Sequence, residues 1–122
     1  MKKPITRPMH GVADYGYAAL VTAAPKLVGF ENEKAATLLC YGLGGGALLY
    51  SFFTRYELGV FRIMPFKTHL MLDLAANVFA LAAPWILGFS KNKQACNTCL
   101  VAATTGLVVS AFTQPFEMPT TA

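Results

Sequence analysis

Four stretches of the chain are rich in apolar residues, nearly free of charge, and about 20 residues long. Residues 35–53 and 95–113 contain no Asp, Glu, Lys or Arg; residues 69–89 contain one such residue and residues 12–30 contain two. An α-helix of about 20 residues crosses a hydrocarbon core about 30 Å thick. A soluble bundle would instead show a polar face on each helix, which the second and fourth stretches lack. The pattern predicts an all-α protein with four transmembrane helices.

The two halves of the chain repeat each other at an offset of 59 residues, which aligns His10 with His69 and Asp14 with Asp73. Further matches are Ala23-Ala24-Pro25 with Ala82-Ala83-Pro84, Ser51 with Ser110, and Phe53-Thr54 with Phe112-Thr113. Because each repeat holds an even number of helices, both repeats enter the membrane from the same side. We therefore predict one membrane domain, 1–122, built as a four-helix bundle from two tandem parallel hairpins (about 8–57 and 67–116).

Charged residues make up 13% of the chain, about half the share in an average soluble domain. So low a fraction excludes a disordered chain. The net charge of +4 is spread over small groups, which argues against a nucleic-acid partner. Six Lys and Arg residues, from Lys2 to Arg7 and from Arg55 to Lys67, flank one side of the spans, and four flank the other. Since basic residues stay in the cytoplasm, both termini are predicted to be cytoplasmic.

A short motif near the end of the first and third helices has a structural interpretation. Pro25 and Pro84 would disturb the last turn of a helix. Gly29 and Gly88 would supply the positive φ that ends it, and Trp85 would lie at the headgroup level. The motif therefore predicts a helix end anchored at the membrane interface.

The segment Ala83-Pro84-Trp85-Ile86-Leu87-Gly88-Phe89 resembles the signature of the SPW repeat proteins, small bacterial membrane proteins named for a Ser-Pro-Trp motif. The repeat of that family also carries a His and an Asp upstream, which match His69 and Asp73. Ala replaces Ser in both copies here, and Lys26 replaces Trp in the first copy, Ala24-Pro25-Lys26. The resemblance implies a multi-pass protein of the bacterial inner membrane without an established activity.

The candidate polar site consists of His10, Asp14, His69, Asp73 and Asn77. Each His lies four residues before its Asp, so both side chains share one helix face, and Asn77 extends that face by a turn. Acidic residues within a membrane span are costly and usually face the bundle interior. A His oriented by a carboxylate is typical of metal and haem sites. At helix starts, however, the same pairs also suit a purely structural role, because an Asp there complements the helix dipole.

The leading hypothesis is a small structural or accessory membrane protein that binds no cofactor and catalyses no reaction, with the lipid bilayer, itself or another membrane protein as partner. The alternative is a redox or transport module in which the two His-Asp pairs relay protons or bind haem, a quinone or a metal ion, with His10 and His69 as ligands. No nucleophile with an adjacent base is visible in the sequence, so an enzyme is the weakest hypothesis.

Small residues are predicted to pack helices against each other, within the bundle or between two copies. Gly42, Gly46 and Gly106 are the main examples. Cys96 and Cys99 lack further ligands on their side of the membrane and have the same interpretation. The connection 55–67 contains charged residues and the aromatic residues Tyr56, Phe61 and Phe66. It is predicted to lie as an amphipathic segment on the cytoplasmic leaflet or, alternatively, to dock a partner.

Overall fold

A computed structural model describes residues 3–119, and within this range the chain forms four α-helices. They are α1 (Arg7–Ala24), α2 (Lys34–Phe52), α3 (Phe66–Ile86) and α4 (Lys93–Ala111), and α1 continues into one π-helical turn, Pro25–Gly29. The predicted all-α class is thus confirmed. Lys2, which contributed to the predicted orientation, lies outside the described residues.

Helices α1 and α3 begin before the apolar stretches from which they were predicted. The Thr6 side chain caps α1 by accepting a bond from the Met9 N–H, and Pro65 directly precedes α3. Both devices favour a helix start, and the first turns that follow them contain the polar residues Arg7 and His10 in α1 and Lys67 and His69 in α3. Hydropathy therefore located the apolar part of each helix and missed its polar first turn.

Each hairpin is a closely packed helix pair, α1 with α2 and α3 with α4. The two hairpins touch less extensively, α1 against α4 and α2 against α3. The diagonal helices α1 and α3, both fully described, have no Cα atoms within 8 Å of each other. Direct contacts between α1 and α3 can therefore be made only by their side chains.

Helices α2, α3 and α4 are long and apolar enough to cross a membrane. The 21 residues of α3 correspond to a length of about 31 Å, close to the thickness of a hydrocarbon core. Large apolar side chains such as Leu38, Met71 and Val101 are exposed on the outside of the bundle. This surface suits lipid better than water.

Both Pro-Gly motifs end their helical segment in the same way. Gly29 and Gly88 have φ values of +94° and +80°. In each motif the N–H of the following Phe donates to the carbonyl of the Pro five residues earlier, at 2.9 Å for Phe30 and 2.8 Å for Phe89. This is the hydrogen bond of a Schellman cap. The Trp85 side chain is exposed, as a membrane-interface anchor requires.

Among the glycines of α2, Gly44 comes closest to a neighbouring helix. It lies between Gly42 and Gly46, the two glycines that were predicted to pack helices against each other. A Cβ at Gly44 would collide with the side chain of Thr22 and lie 2.9 Å from the Ala18 carbonyl oxygen. Gly42 and Gly46 have no such neighbour within 4 Å. Successive residues of a helix point about 100° apart, so Gly44 lies on a different face of α2 from Gly42 and Gly46. A Gly-x-x-x-Gly pattern therefore does not by itself identify the face of α2 that packs against α1.

Two backbone bridges close the end of the bundle where α1 and α3 begin. Ile5 accepts from the Gln114 N–H at 2.8 Å and donates to the Phe112 carbonyl at 3.1 Å. Met64 makes the corresponding bonds with Arg55, at 2.8 Å, and with Phe53, at 2.7 Å. The residues of the two bridges differ by the same offset of 59. The N-terminal segment is thereby tied to the chain beyond α4.

Candidate functional site

The two predicted His-Asp pairs converge at the end of the bundle where α1 and α3 begin. Within α1, His10 Nε2 lies 3.1 Å from Asp14 Oδ1. Within α3, His69 Nε2 lies 3.3 Å from Asp73 Oδ2. The i, i+4 spacing thus brings each imidazole to its own carboxylate, as one helix face requires.

The same four side chains also pair across the diagonal of the bundle. His10 Nε2 lies 2.9 Å from Asp73 Oδ2, and His69 Nε2 lies 2.9 Å from Asp14 Oδ2. All four residues are buried, and one donor atom from each lies within 4.8 Å of the others. We call these four residues the His–Asp cluster. Its two diagonal pairs join α1 to α3.

Two threonines that follow α2 and α4 orient the imidazoles. Thr54 Oγ1 lies 2.7 Å from His69 Nδ1 and donates to the Tyr50 carbonyl at 2.6 Å. Thr113 Oγ1 lies 2.8 Å from His10 Nδ1 and donates to the carbonyl four residues earlier. A hydroxyl has one proton to donate. Each Thr must therefore accept from Nδ1–H, which leaves both Nε2 atoms facing the carboxylates.

Hydroxyl groups complete the surroundings of the two carboxylates unequally. Asp73 accepts from the Tyr50 hydroxyl and, at 3.3 Å, from Ser110. Asp14 accepts from Tyr56 at 2.9 Å. Burial and the nearby Asp14 carboxylate raise the pKa of Tyr56, so this phenol stays protonated and donates. Asp73 consequently holds more hydrogen-bond donors than Asp14 does.

Asn77 extends the polar face of α3, as predicted from its spacing. Its Nδ2 donates to the Asp73 carbonyl at 2.7 Å, and its Oδ1 accepts from the Tyr17 hydroxyl at 3.3 Å. A Cβ at Gly106 would collide with the amide group of Asn77. The absence of a side chain at Gly106 therefore makes room for this amide against α4.

A cavity of about 120 Å³ lies between the four helices beside the cluster. Its polar lining includes His10, Asp14 and Asp73, and its apolar lining includes Gly42 and Gly46. The cavity has room for several waters, or for an ion with a few waters. Three of the four cluster residues therefore border this cavity.

The family model of the SPW repeat domain matches residues 8–114. The chain belongs to the SPW repeat family. No curated protein and no solved structure is detectably similar to it. The matched range includes both helical hairpins and all four residues of the His–Asp cluster.

Sequence reasoning found the imidazoles and carboxylates of this SPW repeat protein but missed the hydroxyl groups around them. The in-register pairs Ser51/Ser110 and Thr54/Thr113 were a usable signal, because polar residues at helix ends matched across the offset. The tyrosines gave no such signal: Tyr50 corresponds to Val109, and Tyr56 to Pro115. Their role depends on how the chain folds back over the cluster.

The prediction that residues 55–67 lie on the leaflet is wrong for the two aromatic residues nearest the cluster. Tyr56 and Phe66 are fully buried, and their rings lie 5.4 Å and 5.9 Å from the His69 ring. Between them, Val60, Phe61 and Ile63 remain exposed. The connection thus covers the cluster from the outside of the bundle, and only its middle presents apolar side chains outward.

The three cysteines of this SPW repeat protein are free and buried. Cys99 Sγ donates to the Ala80 carbonyl at 3.1 Å, and Cys40 and Cys99 belong to the apolar core. They lie among core alanines such as Ala80, Ala95 and Ala103. This placement agrees with small packing residues.

A partly exposed ion pair between Arg7 and Glu57 ties α1 to the connection between the hairpins. Arg7 Nη2 lies 2.7 Å from Glu57 Oε2, and Arg7 also donates to the Phe116 carbonyl at 2.8 Å. The hydrogen bonds from Arg7 hold the pKa of Glu57 below its ordinary value. A carboxylate whose pKa falls on folding stabilises the folded state above its unfolded pKa, and the effect is lost as the pH drops through its folded pKa.

We expect Glu57→Gln to lower the free energy of unfolding at pH 7 by less than about 1 kcal/mol, because the pair is partly exposed. The difference from the wild type should shrink below about pH 4.3, where an unfolded glutamate becomes protonated, and vanish below the folded pKa. Unfolding in detergent between pH 7 and pH 3 measures both effects. Glu31→Gln, at an exposed carboxylate on the opposite side, is the matched control. A difference that does not shrink between pH 7 and pH 3 would contradict the role of the ion pair.

Proposed function

We propose that this protein is a structural or accessory component of the bacterial inner membrane, with four spans, no catalytic activity of its own, and a His–Asp cluster that locks its two hairpins together. The carrying observation is the diagonal pairing of His10 with Asp73 and of His69 with Asp14, each at 2.9 Å. The backbones of α1 and α3 do not approach each other there. The cluster is therefore a buried side-chain link across this diagonal.

Matched contacts support the proposal that the two hairpins are duplicated, parallel units. The His10–Thr113 and His69–Thr54 contacts differ by the offset of 59, as do the two backbone bridges. Contacts of this kind are expected when two copies of one unit face each other at the same depth. Three apolar helices and the family membership support a membrane location.

Reporter fusions test the four-span topology. We expect a reporter inserted at residues 57–61, or fused at Ala122, to give a cytoplasmic signal. Reporters at residues 31–33 and 90–92 should give an extracytoplasmic signal, because the π-helical turn extends α1 enough for it to span. The basic residues support this orientation. An extracytoplasmic signal from residues 57–61 together with Ala122 would reverse the orientation, and opposite signals from these two sites would exclude four spans.

The cavity beside the cluster favours transport of a small ion as a second candidate function. Its volume of about 120 Å³ is smaller than the roughly 150 Å³ cavity that holds a benzene ring. It therefore suits an ion and a few waters better than a haem or a quinone ring. Ion uptake into sealed vesicles that contain the purified protein would test this candidate.

A further inference from the structure

We propose that the His–Asp cluster is a binding site for one divalent transition-metal ion, and that Zn²⁺ suits it best. Each of the four residues offers one ligand atom: the Nε2 atoms of His10 and His69 and one carboxylate oxygen each from Asp14 and Asp73. Two imidazole nitrogens and two carboxylate oxygens match the four-coordinate sites that Zn²⁺ forms in proteins. This inference goes beyond the structural lock and does not depend on it.

The separations between the ligand atoms suit a tetrahedral ion. With metal–ligand bonds of 2.0–2.1 Å, neighbouring ligand atoms of a tetrahedron lie about 3.3 Å apart. Asp73 Oδ2 lies 2.9 Å from His10 Nε2 and 3.3 Å from His69 Nε2, while Asp14 faces His10 with Oδ1 at 3.1 Å and His69 with Oδ2 at 2.9 Å. One ligand atom from each of the four residues lies within 4.8 Å of the other three. The four side chains are thus already gathered around one point.

A second, independent observation is the state of His69. Its side chain is completely buried, and its Nε2, although 2.9 Å from Asp14 Oδ2 and 3.3 Å from Asp73 Oδ2, forms no hydrogen bond of good geometry with either carboxylate. A buried nitrogen without a well-formed hydrogen bond is rare. Coordination to a metal ion would use the lone pair of this nitrogen.

The threonines supply the outer contacts that metal-binding histidines usually have. A ligating His almost always donates its other ring N–H to an oxygen, which fixes the tautomer and the ring orientation. Thr54 and Thr113 accept Nδ1–H from His69 and His10 in this way. Both Nε2 atoms are consequently presented to the centre of the cluster.

The charge of the cluster selects a divalent ion. Two carboxylates contribute a charge of −2 when the imidazoles are neutral, and burial of uncompensated charge is costly. A divalent cation balances this charge, whereas a monovalent cation leaves one negative charge in an apolar environment. The cavity beside the cluster borders three of the proposed ligands, His10, Asp14 and Asp73.

Metal titration of the full-length protein tests the site. The protein is purified in detergent with a tag that lacks histidine, treated with a chelator, and titrated with Co²⁺ and then Zn²⁺. We expect one Co²⁺ per chain with the intense visible absorption of tetrahedral coordination, and its displacement by Zn²⁺. His69→Gln and Asp73→Asn should weaken binding by more than about 100-fold, and Thr54→Val by about 10- to 100-fold, the usual effect of losing an outer contact.

Matched controls separate the cluster from other ligands. Glu57→Gln removes an exposed carboxylate at the same end of the bundle, and a variant with Cys40→Ala, Cys96→Ala and Cys99→Ala removes every thiol. Both should retain wild-type affinity. Loss of binding in the thiol-free variant with retained helicity, or retained binding in His69→Gln, would overturn the proposal.

If the ligand variants fail to fold, X-ray absorption at the zinc edge of the wild-type protein tests the proposed ligands directly. We expect two imidazoles and no sulfur around the ion; a sulfur ligand, or the failure of one equivalent to bind, would overturn the metal site. Unfolding measured in the presence of a chelator reports on the structural lock alone. The metal site and the lock can therefore fail separately.

Discussion

Asp73→Ala should lower the free energy of unfolding by about 3–5 kcal/mol, the usual cost when one partner of a buried ion pair is removed. The Asp73 carboxylate accepts from the hydroxyl groups of Tyr50 and Ser110 and lies 2.9 Å from His10 Nε2, so its loss leaves several buried polar groups without a partner. Reversible unfolding in mixed detergent micelles, in the presence of a chelator, measures the change.

The equivalent carboxylate provides a comparison for this prediction. Asp14 accepts from Tyr56 and lies beside the same two imidazoles, but it has fewer hydroxyl donors than Asp73. Asp14→Ala should therefore be destabilising by a smaller amount. Glu57→Ala, at an exposed carboxylate, should cost less than about 1 kcal/mol. If Asp73→Ala cost no more than Glu57→Ala, the cluster could not be the lock between the hairpins.

Gly44→Ala should destabilise the first hairpin by about 1–3 kcal/mol or more, as overpacking of a close contact does. The added methyl group would meet the side chain of Thr22 and the backbone of α1 at Ala18 and Thr22. A side chain can rotate away, but the backbone of a packed helix cannot. Reversible unfolding in mixed detergent micelles measures this decrease in the free energy of unfolding.

Gly42→Ala is the matched control, because it makes the same chemical change two residues earlier in the same helix. No heavy atom of a neighbouring element lies within 4 Å of a Cβ there. The higher helix propensity of Ala should make this variant neutral or more stable by up to about 1 kcal/mol. Equal losses at Gly42 and Gly44 would show that helix packing does not distinguish the two positions.

The sequence was sufficient to predict the centre of the site but not its surroundings. Hydropathy placed four helices, the i, i+4 spacing paired each His with its Asp, and the repeat brought both pairs to one end of the bundle. The hydroxyl groups of Tyr50 and Tyr56 come from the end of α2 and the chain beyond it. Their contacts depend on how that chain folds over the helix ends, which no periodic pattern records.

The backbone bridges at Ile5 and Met64 are equivalent. The paired terminal segments and the connection between the hairpins could therefore exchange places in the chain. The described N-terminal and C-terminal segments lie side by side, joined by the same pair of hydrogen bonds that closes the connection between the hairpins. A short linker between those segments would turn the chain into a ring. Such a ring, reopened at residues 57–61, would be a circular permutant with the second hairpin first and with every helix contact intact. The contacts do not require either hairpin to be made first.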